Sequence, residues 1–182
     1  MFTVILNLCI SYLIGSISGS MVMGKIKNVD IRTMGSGNAG GTNAFRTMGA
    51  AFALGVIIID IAKGYIPARF IASMDILGSS SLPPDLLAIL CGIMAVIGHV
   101  FPIYYGFKGG KGGGAGIGLV LAIYPFSMVV ALCVWIINLF ITGWVGLGTM
   151  LAAISIAIFS YINPSENEYF LITSIIIALL IF

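Results

Sequence analysis

The fold class is decided by residues 86–112, LLAILCGIMAVIGHVFPIYYGFKGGKG. This stretch joins the two kinds of segment that make up the chain, a long apolar run and a polar, glycine-rich loop. From Leu86 to Tyr105 it contains no Asp, Glu, Lys or Arg, and His99 is its only imidazole. A helix rises 1.5 Å per residue, so this length crosses a hydrocarbon core of about 30 Å. Lys108 and Lys111 then stand among glycines. The stretch predicts a membrane-spanning helix that ends in a polar, glycine-rich loop.

The composition extends this interpretation to the whole chain. The 182 residues are 60% hydrophobic and only 8% charged, with a mean hydropathy of +1.17. Soluble domains carry about a quarter charged residues, which excludes that class. The apolar character continues to Phe182, so a signal peptide does not explain it. Long apolar segments favour helices over a β-barrel, whose strands would alternate. We expect an all-α polytopic membrane protein with one domain, residues 1–182.

Seven apolar segments are expected to form about seven transmembrane helices, of which the fourth is short or tilted. The segments are Phe2–Gly24, about Gly49–Ala72, Leu86–Tyr105, Gly113–Ile123, Phe126–Ile141, Trp144–Ile162 and Tyr169–Phe182. Within the first segment, Gly15 and Gly19 predict a small-residue face for close helix packing.

The charges of the connecting loops predict the orientation. Alternating sides places loops 25–47, 106–112 and 142–146 on one face, which then holds six of the eight Lys and Arg residues. Loops 73–85, 124–125 and 163–168 fall on the other face with four of the six acids. By the positive-inside rule the first face is cytoplasmic. The N-terminus is therefore expected outside and the C-terminus in the cytoplasm.

Two glycine-rich loops on the predicted cytoplasmic face suit a phosphate. Glycine lets successive N–H groups converge on one point, and nearby cations add attraction. Arginine adds a bidentate fork for phosphate, while hydroxyls and amides bond phosphate oxygens or a polyol. The alternative is a merely solvated pair of loops. The candidate binding residues are Ser36, Gly37, Asn38, Gly40, Thr42, Asn43 and Arg46 in the first loop, and Lys108, Gly109, Gly110, Lys111 and Gly112 in the second.

Other motifs carry no comparable chemistry. Gly35-x-Gly37-x-x-Gly40 matches the dinucleotide fingerprint without a surrounding βαβ unit, and the stretch 19–25 resembles a P-loop start without its Ser or Thr. The three cysteines lie in apolar segments without CxxC spacing. One histidine and scattered acids supply no metal-ligand set. We expect no metal, no cofactor and no nucleic-acid partner.

Three motifs in order resemble a known enzyme family. They are GSGNAGGTN at 35–43 with Arg46 behind it, DIAKG at 60–64, and GHVFPIYYGFKGGKG at 98–112. They are similar to the bacterial acyl-phosphate-dependent glycerol-3-phosphate acyltransferases. The resemblance implies a seven-helix enzyme of the bacterial inner membrane with its active site facing the cytoplasm. Such an enzyme transfers a fatty acyl group from long-chain acyl phosphate to the 1-hydroxyl of glycerol 3-phosphate, which gives lysophosphatidic acid and phosphate. The resemblance also implies contact with membrane lipid around the helices.

Direct attack suits this chemistry. Acyl phosphate is already activated, so positioning two anions together supplies much of the rate, while cations stabilise the departing phosphate. Neither a Ser-His-Asp nor a Cys-His arrangement is evident in the sequence. His99 either acts as general base toward the glycerol hydroxyl or hydrogen-bonds a loop and holds its shape. Asp60 and Lys63 share one face of a helix and form either a scaffold ion pair or, through Lys63, a phosphate contact.

The chain departs from the family's pattern in three places. Gly113-Gly114-Ala115 stands where the family has Val-Ala-Thr, and Gly143 and Gly146 stand where it carries an Arg and a Ser. The last segment is short for a span and has no basic anchor, so either it ends buried or, as we expect, a short native tail follows Phe182. The family ends in such a basic cytoplasmic tail. These differences leave an inactive membrane paralogue as one alternative. A second alternative is a transporter for organic phosphate that uses the same anion-binding glycines at a broken helix.

Overall fold

The computed structural model describes residues 1–74, 76, 78–163 and 169–181, and within them it is all-helical without a β-strand, which confirms the predicted fold class. The α-helices are α1 Phe2–Gly15, α2 Gly19–Lys27, α3 Gly41–Met48, α4 Ala50–Ile66, α5 Pro84–Val100, α6 Gly113–Ile123, α7 Pro125–Thr142, α8 Val145–Ile162 and α9 Phe170–Ile181. Short 3₁₀ turns lie at Ile31–Thr33 and Ile103–Tyr105, and a π-helical turn at Pro67–Ile71 continues α4.

Four of the described helical segments are long and apolar enough to cross a membrane, namely Ala50–Ile71, Pro84–Tyr105, Pro125–Thr142 and Val145–Ile162. The pair α1 and α2 makes a fifth if the two count as one bent span, and α6 and α9 are shorter. The count of seven spans and the orientation of the termini stay predictions. Of the predicted loops and ends, residues 75, 77, 164–168 and 182 lie outside the described residues.

Residues 1–123 form one compact unit in which glycines bring helix backbones together. A methyl group on Gly64 of α4 would overlap the backbone of Ala115 in α6. Likewise, a methyl on Gly15 of α1 would overlap the backbone of Ala95 in α5, as the predicted small-residue face requires. Without a hydrophobic driving force between helices in lipid, such close van der Waals contact is a main source of association.

The first predicted span, Phe2–Gly24, is not one continuous helix. It breaks at residues 16–18, and α2 leaves at an angle of 40° to α1 and runs on to Lys27. Ser18 is extended, with φ −82° and ψ 119°, while the Ser16 hydroxyl donates to the Tyr12 carbonyl over 2.8 Å. Glycine disfavours a helix interior through its backbone freedom, and the serine hydroxyl competes for backbone hydrogen bonds, so the Ser/Gly-rich segment is where the helix ends.

The predicted loop 25–47 contains a helix that sequence reasoning missed. Helix α3 turns its inner face, with Ala44 fully buried, onto a cluster that includes Ile31, Phe52 and Val56. Phe45 on the opposite side is 59% exposed. Eight residues are marginal as an isolated helix, so packing on α4 stabilises α3.

Residues 124–182 form a second compact unit, which contains α7, α8 and α9. The turn between α7 and α8 is held by Asn138, whose side-chain amide donates to the Trp144 carbonyl over 3.0 Å. Gly143 ends α7 in the left-handed region at φ +71°, and Gly146 lies in the first turn of α8 with open space around it. Phe170 at the start of α9 stacks on Tyr124.

We expect Gly64→Ala to destabilise the first unit by about 2 kcal/mol, because its methyl meets rigid backbone rather than a flexible side chain. The measurement is thermal unfolding in detergent, read by reaction of a thiol dye with Cys91, which is fully buried. Cys9 and Cys133 are replaced by Ala beforehand because they are exposed. Gly146→Ala is the matched control, since nothing lies within 4 Å of its added methyl. Equal unfolding midpoints for the two variants would contradict the close contact between α4 and α6.

Candidate active site

The first glycine-rich loop is organised by the side chain of Asn43, which is 3% exposed. Its amide nitrogen donates to the carbonyls of Ile31 and Asn38, each over 3.0 Å, and to that of Met34 over 3.1 Å. Its amide oxygen accepts from the backbone N–H of Ser36 over 3.0 Å. One side chain therefore replaces the regular backbone bonding that the loop lacks, and Asn43 points into the loop instead of outward.

The outer surface of this loop exposes polar side chains next to the start of α3. Gly35 and Gly37 are left-handed, at φ +57° and +72°. Helix α3 begins after Gly40 without a side-chain cap, and the first amides of a helix have no partner within it. Free amides, hydroxyls and a guanidinium at a helix N-terminus make a suitable site for an anion. The polar side chains around this helix start are Ser36, Thr42 and Arg46, which are exposed, and Asn38, which is partly buried.

The second glycine-rich loop folds back onto the end of α5. The Phe107 N–H donates to the Pro102 carbonyl over 3.0 Å, and the Gly110 N–H donates to the His99 carbonyl over 3.2 Å. Gly112 is left-handed at φ +86° and precedes the start of α6. The chain thereby reverses direction within a few residues. Its two lysines, Lys108 and Lys111, are exposed.

An arginine that the sequence did not single out links the turn before the first glycine-rich loop to the turn before the second. Arg32 donates through its Nη1 to the carbonyl of Tyr105 over 3.2 Å. Its Nε and Nη2 donate to the carboxylate of Asp30, with 2.8 Å between Nη2 and Oδ2. Hydrogen bonding to Arg32 lowers the pKa of Asp30 below its usual value, so this ion pair persists at neutral pH. The Asp-x-Arg spacing at 30–32 was the only signal in the sequence.

The site cations differ from Arg32 in their partners. Among the described residues, no ion pair to a carboxylate is formed by Arg46, Lys108 or Lys111. Their charges are thus not neutralised by the part of the protein that the structure describes, which favours recruitment of an anionic ligand.

Beneath the second loop lies a buried cluster of three ionisable side chains, Asp60, Lys63 and His99, each 3% exposed. Lys63 Nζ is 3.0 Å from Asp60 Oδ1, and His99 Nδ1 is 3.5 Å from the same oxygen. The second distance exceeds a normal hydrogen bond, and His99 Nδ1 has no hydrogen-bond partner among the described residues. The structure pairs Asp60 with Lys63, as their spacing on one helix face predicts, and brings His99 to the same carboxylate.

The glycines of the second loop and of α6 rest directly on this cluster. A methyl on Gly110 would overlap the Nε2 edge of the His99 ring, and one on Gly109 would overlap the His99 carbonyl oxygen. A methyl on Gly114 would come within 2.7 Å of the Asp60 Cβ. These positions require the absence of a side chain for close approach, which sequence spacing alone did not reveal.

A groove of about 700 Å³ borders the joint between the loops. Tyr105 and the C-terminal part of α2 line it, together with residues of the following turn. Its lining is largely apolar, with Lys25 as its one charged residue. The groove thus lies beside the contact between Arg32 and Tyr105 in the first unit. The joint runs through Arg32 and not through Arg46, the arginine that the sequence singled out.

Known proteins resemble this chain over most of its length. The family model described as glycerol-3-phosphate acyltransferase matches residues 5–182. Glycerol-3-phosphate acyltransferases of Chlorobium luteolum and Chlorobium phaeobacteroides are 42% and 44% identical over 160 residues, which is 85% of this chain and 68% of each relative. One from Pelodictyon phaeoclathratiforme is 43% identical over 89% of this chain and 73% of that protein.

A solved structure extends the likeness to the fold. The crystal structure of PlsY, an integral membrane glycerol 3-phosphate acyltransferase, in its glycerol 3-phosphate form matches with a TM-score of 0.84 at 31% identity, covering 98% of this chain and 86% of that one. Its lysophosphatidic acid form matches with a TM-score of 0.81 at 32% identity, covering 98% and 85%. By its sequence and its fold, the chain belongs to the glycerol-3-phosphate acyltransferase family.

Proposed function

We propose that this protein transfers a fatty acyl group from long-chain acyl phosphate to the 1-hydroxyl of glycerol 3-phosphate, with lysophosphatidic acid and inorganic phosphate as products. The observation that carries the proposal is the pair of glycine-rich loops, whose preceding turns are linked by Arg32 and whose exposed cations have no carboxylate partner among the described residues. Both substrates carry phosphate, so one such surface suits both. The glycerol 3-phosphate and lysophosphatidic acid forms of PlsY support the choice of acceptor and product.

The residues of the two loops divide into donors that meet the ligand and groups that shape the loop. Asn43 acts from inside, because its side chain is already bonded within the loop. The glycines at 37, 40, 109, 110 and 112 let the backbone approach the phosphate. The amides at the start of α3 supply donors to the ligand. The exposed side chains that join them are the cations Arg46, Lys108 and Lys111 and the hydroxyls of Ser36 and Thr42.

The acyl group passes in a single displacement. The glycerol hydroxyl oxygen attacks the acyl carbonyl carbon, the bond from that carbon to the phosphate oxygen breaks, and phosphate leaves with the electron pair while the hydroxyl proton passes to solvent or phosphate. The lysines stabilise the leaving phosphate. Nδ1 of His99, the one histidine, meets no hydroxyl or thiol among the described residues, which supports a path without an acyl-enzyme.

We further propose that residues 1–182 act as one membrane domain with seven spans, the N-terminus outside, the C-terminus inside and both loops facing the cytoplasm of a bacterial inner membrane. The family match over residues 5–182 supports a single domain. The concentration of Lys and Arg in the loop segments 25–47 and 106–112 supports the orientation. The groove beside Tyr105 gives the acyl chain an apolar path away from these loops.

The donor is tested by supplying purified protein with glycerol 3-phosphate and long-chain acyl phosphate and measuring phosphate release together with lysophosphatidic acid. We expect equal amounts of the two products, because they form in the same step. In parallel reactions, acyl-CoA and acylated acyl carrier protein replace acyl phosphate, and neither should give lysophosphatidic acid. Transfer from either of these thioesters at the rate seen with acyl phosphate would overturn the assignment of the donor.

We expect Lys111→Ala to lower kcat/KM for glycerol 3-phosphate by about 10- to 100-fold, the worth of one charge-assisted hydrogen bond. Lys27→Ala is the matched control, because Lys27 is also an exposed cation but lies at the end of α2, outside the stretches 35–46 and 108–112. The control should keep its activity within about twofold. Unchanged activity of Lys111→Ala would assign the second loop a scaffold role only.

The orientation is tested with an impermeant maleimide on intact cells, in a chain whose three cysteines are replaced by Ala. Ser79→Cys lies in the loop expected outside and Lys25→Cys in the loop expected inside, and both positions are exposed. Only Ser79→Cys should react before the membrane is permeabilised, since charged reagents do not cross it. The reverse labelling pattern would invert the proposed topology.

A further inference from the structure

The buried cluster of Asp60, Lys63 and His99 has a structural task that the sequence motifs do not express. Helix α1 ends at Gly15 and α2 begins at Gly19, so the break frees backbone groups inside an apolar segment. An unsatisfied backbone group in such surroundings costs several kcal/mol. Lys63 Nζ donates to the freed carbonyl of Ile17 over 2.7 Å, and the N–H of Gly19 donates to Asp60 Oδ1 over 3.1 Å. The ion pair therefore satisfies both sides of the break.

The same oxygen, Asp60 Oδ1, also faces the second glycine-rich loop, residues 106–112, which we call the lysine-glycine loop. Asp60 Oδ1 lies 3.5 Å from Nδ1 of His99, whose Nε2 edge lies directly beneath Gly110. The backbone carbonyl of His99 accepts from the Gly110 N–H over 3.2 Å. Thus the imidazole is packed between a fixed carboxylate below and the loop backbone above. The ring as a whole is 3% exposed, and a methyl group on Gly110 would overlap its Nε2 edge.

We propose that Asp60 and His99 are positioning residues for phosphate binding, which together support the lysine-glycine loop from below and fasten it to the break between α1 and α2. The Asp60 carboxylate packs against the His99 ring, the ring sets the height of Gly110, and Gly110 sets the path that presents Lys111. Lys63 holds the carboxylate in place. This inference rests on the proposed function for the identity of the ligand, but the contacts that carry it are independent of the acyl donor.

The proposal assigns His99 a different role from that of a general base, and the two roles predict different measurements. A base acts in the chemical step, so its loss lowers kcat and removes a limb of the pH profile. A positioning residue acts on the geometry of the bound phosphate, so its loss weakens binding of glycerol 3-phosphate and leaves the pH profile of kcat unchanged.

The test is a cycle of His99→Asn, Gly110→Ala and the double variant, each titrated with glycerol 3-phosphate and, separately, with inorganic phosphate by calorimetry in detergent. His99→Asn should raise the dissociation constant of glycerol 3-phosphate about 10-fold and alter kcat less than about threefold.

The double variant measures the contact between the ring and the loop. With the imidazole in place, the methyl of Gly110→Ala collides with it and should weaken binding about 10-fold. When His99→Asn is also present the ring is gone, so the same methyl should weaken binding less than about threefold further.

Asp60→Asn tests the lower part of the support. It keeps an acceptor for Gly19 but removes the charge that pairs with Lys63, so glycerol 3-phosphate binding should weaken in the same direction as with His99→Asn. Ser11→Ala is the control, because Ser11 is buried in the same unit and its hydroxyl donates to the carbonyl of Asn7, away from the cluster. It should leave the dissociation constants unchanged. If Asp60→Asn does not fold, the cycle of His99 and Gly110 decides alone.

The results also separate this inference from the proposed function. Unchanged binding together with a kcat loss of about 100-fold or more in His99→Asn would overturn the positioning role and leave the acyltransferase reaction intact. Additive effects of His99→Asn and Gly110→Ala would likewise overturn it. Absence of transfer from acyl phosphate by the unmodified protein would instead overturn the proposed donor, while the binding cycle still measures the support of the loop.

Discussion

In an apolar environment, every polar group of a membrane-spanning segment needs a hydrogen-bond partner within the protein. The carboxylate of Asp60 supplies such a partner where the first helix breaks. It accepts from Gly19 and pairs with Lys63, which in turn donates to Ile17. A single ion pair thereby permits a break in the first helix that would otherwise leave backbone groups without partners. Burying two charges has its own desolvation cost, and the pair offsets it by mutual attraction and by bonding both ends of the break. The departure of α2, and with it the start of the first loop, depends on this pair.

The two glycine-rich loops reach a similar end by different means. In the first, the Asn43 side chain bonds three carbonyls and one amide, so the loop is held from its interior. In the second, the backbone lies on the end of α5 and on the His99 ring, so the loop is held from below. Arg32 then joins them through Tyr105. In both loops, the groups that shape the loop form their hydrogen bonds and contacts inside the protein. The exposed cations can therefore bind an anion.

Membership in the glycerol-3-phosphate acyltransferase family gives these loops a chemical context, and the geometry gives the family motifs physical roles. The motif glycines at 109 and 110 are required because the loop touches the His99 carbonyl and ring, and a methyl at either position would collide. Gly114, where the resemblance leads one to expect an alanine, lies against Asp60, so in this chain the first turn of α6 sits close to the buried ion pair. A small residue there and the compact support beneath the loop are two aspects of one packing arrangement.

The all-α class and the extent of individual helices followed from the sequence, because in lipid a run of apolar residues has only internal hydrogen bonds with which to satisfy its backbone. The segment Gly113–Ile123 is helical over the predicted bounds. The glycine-rich loops were also evident, and the ion pair of Asp60 with Lys63 was one of the two roles expected for these residues, since both features depend on residues near one another in the chain. The break at residues 16–18, helix α3, the inward role of Asn43 and the joint at Arg32 were decided by the tertiary structure. Each depends on contacts outside its own segment, as when Lys63 reaches Ile17 or Arg32 reaches Tyr105, and no local pattern records such contacts.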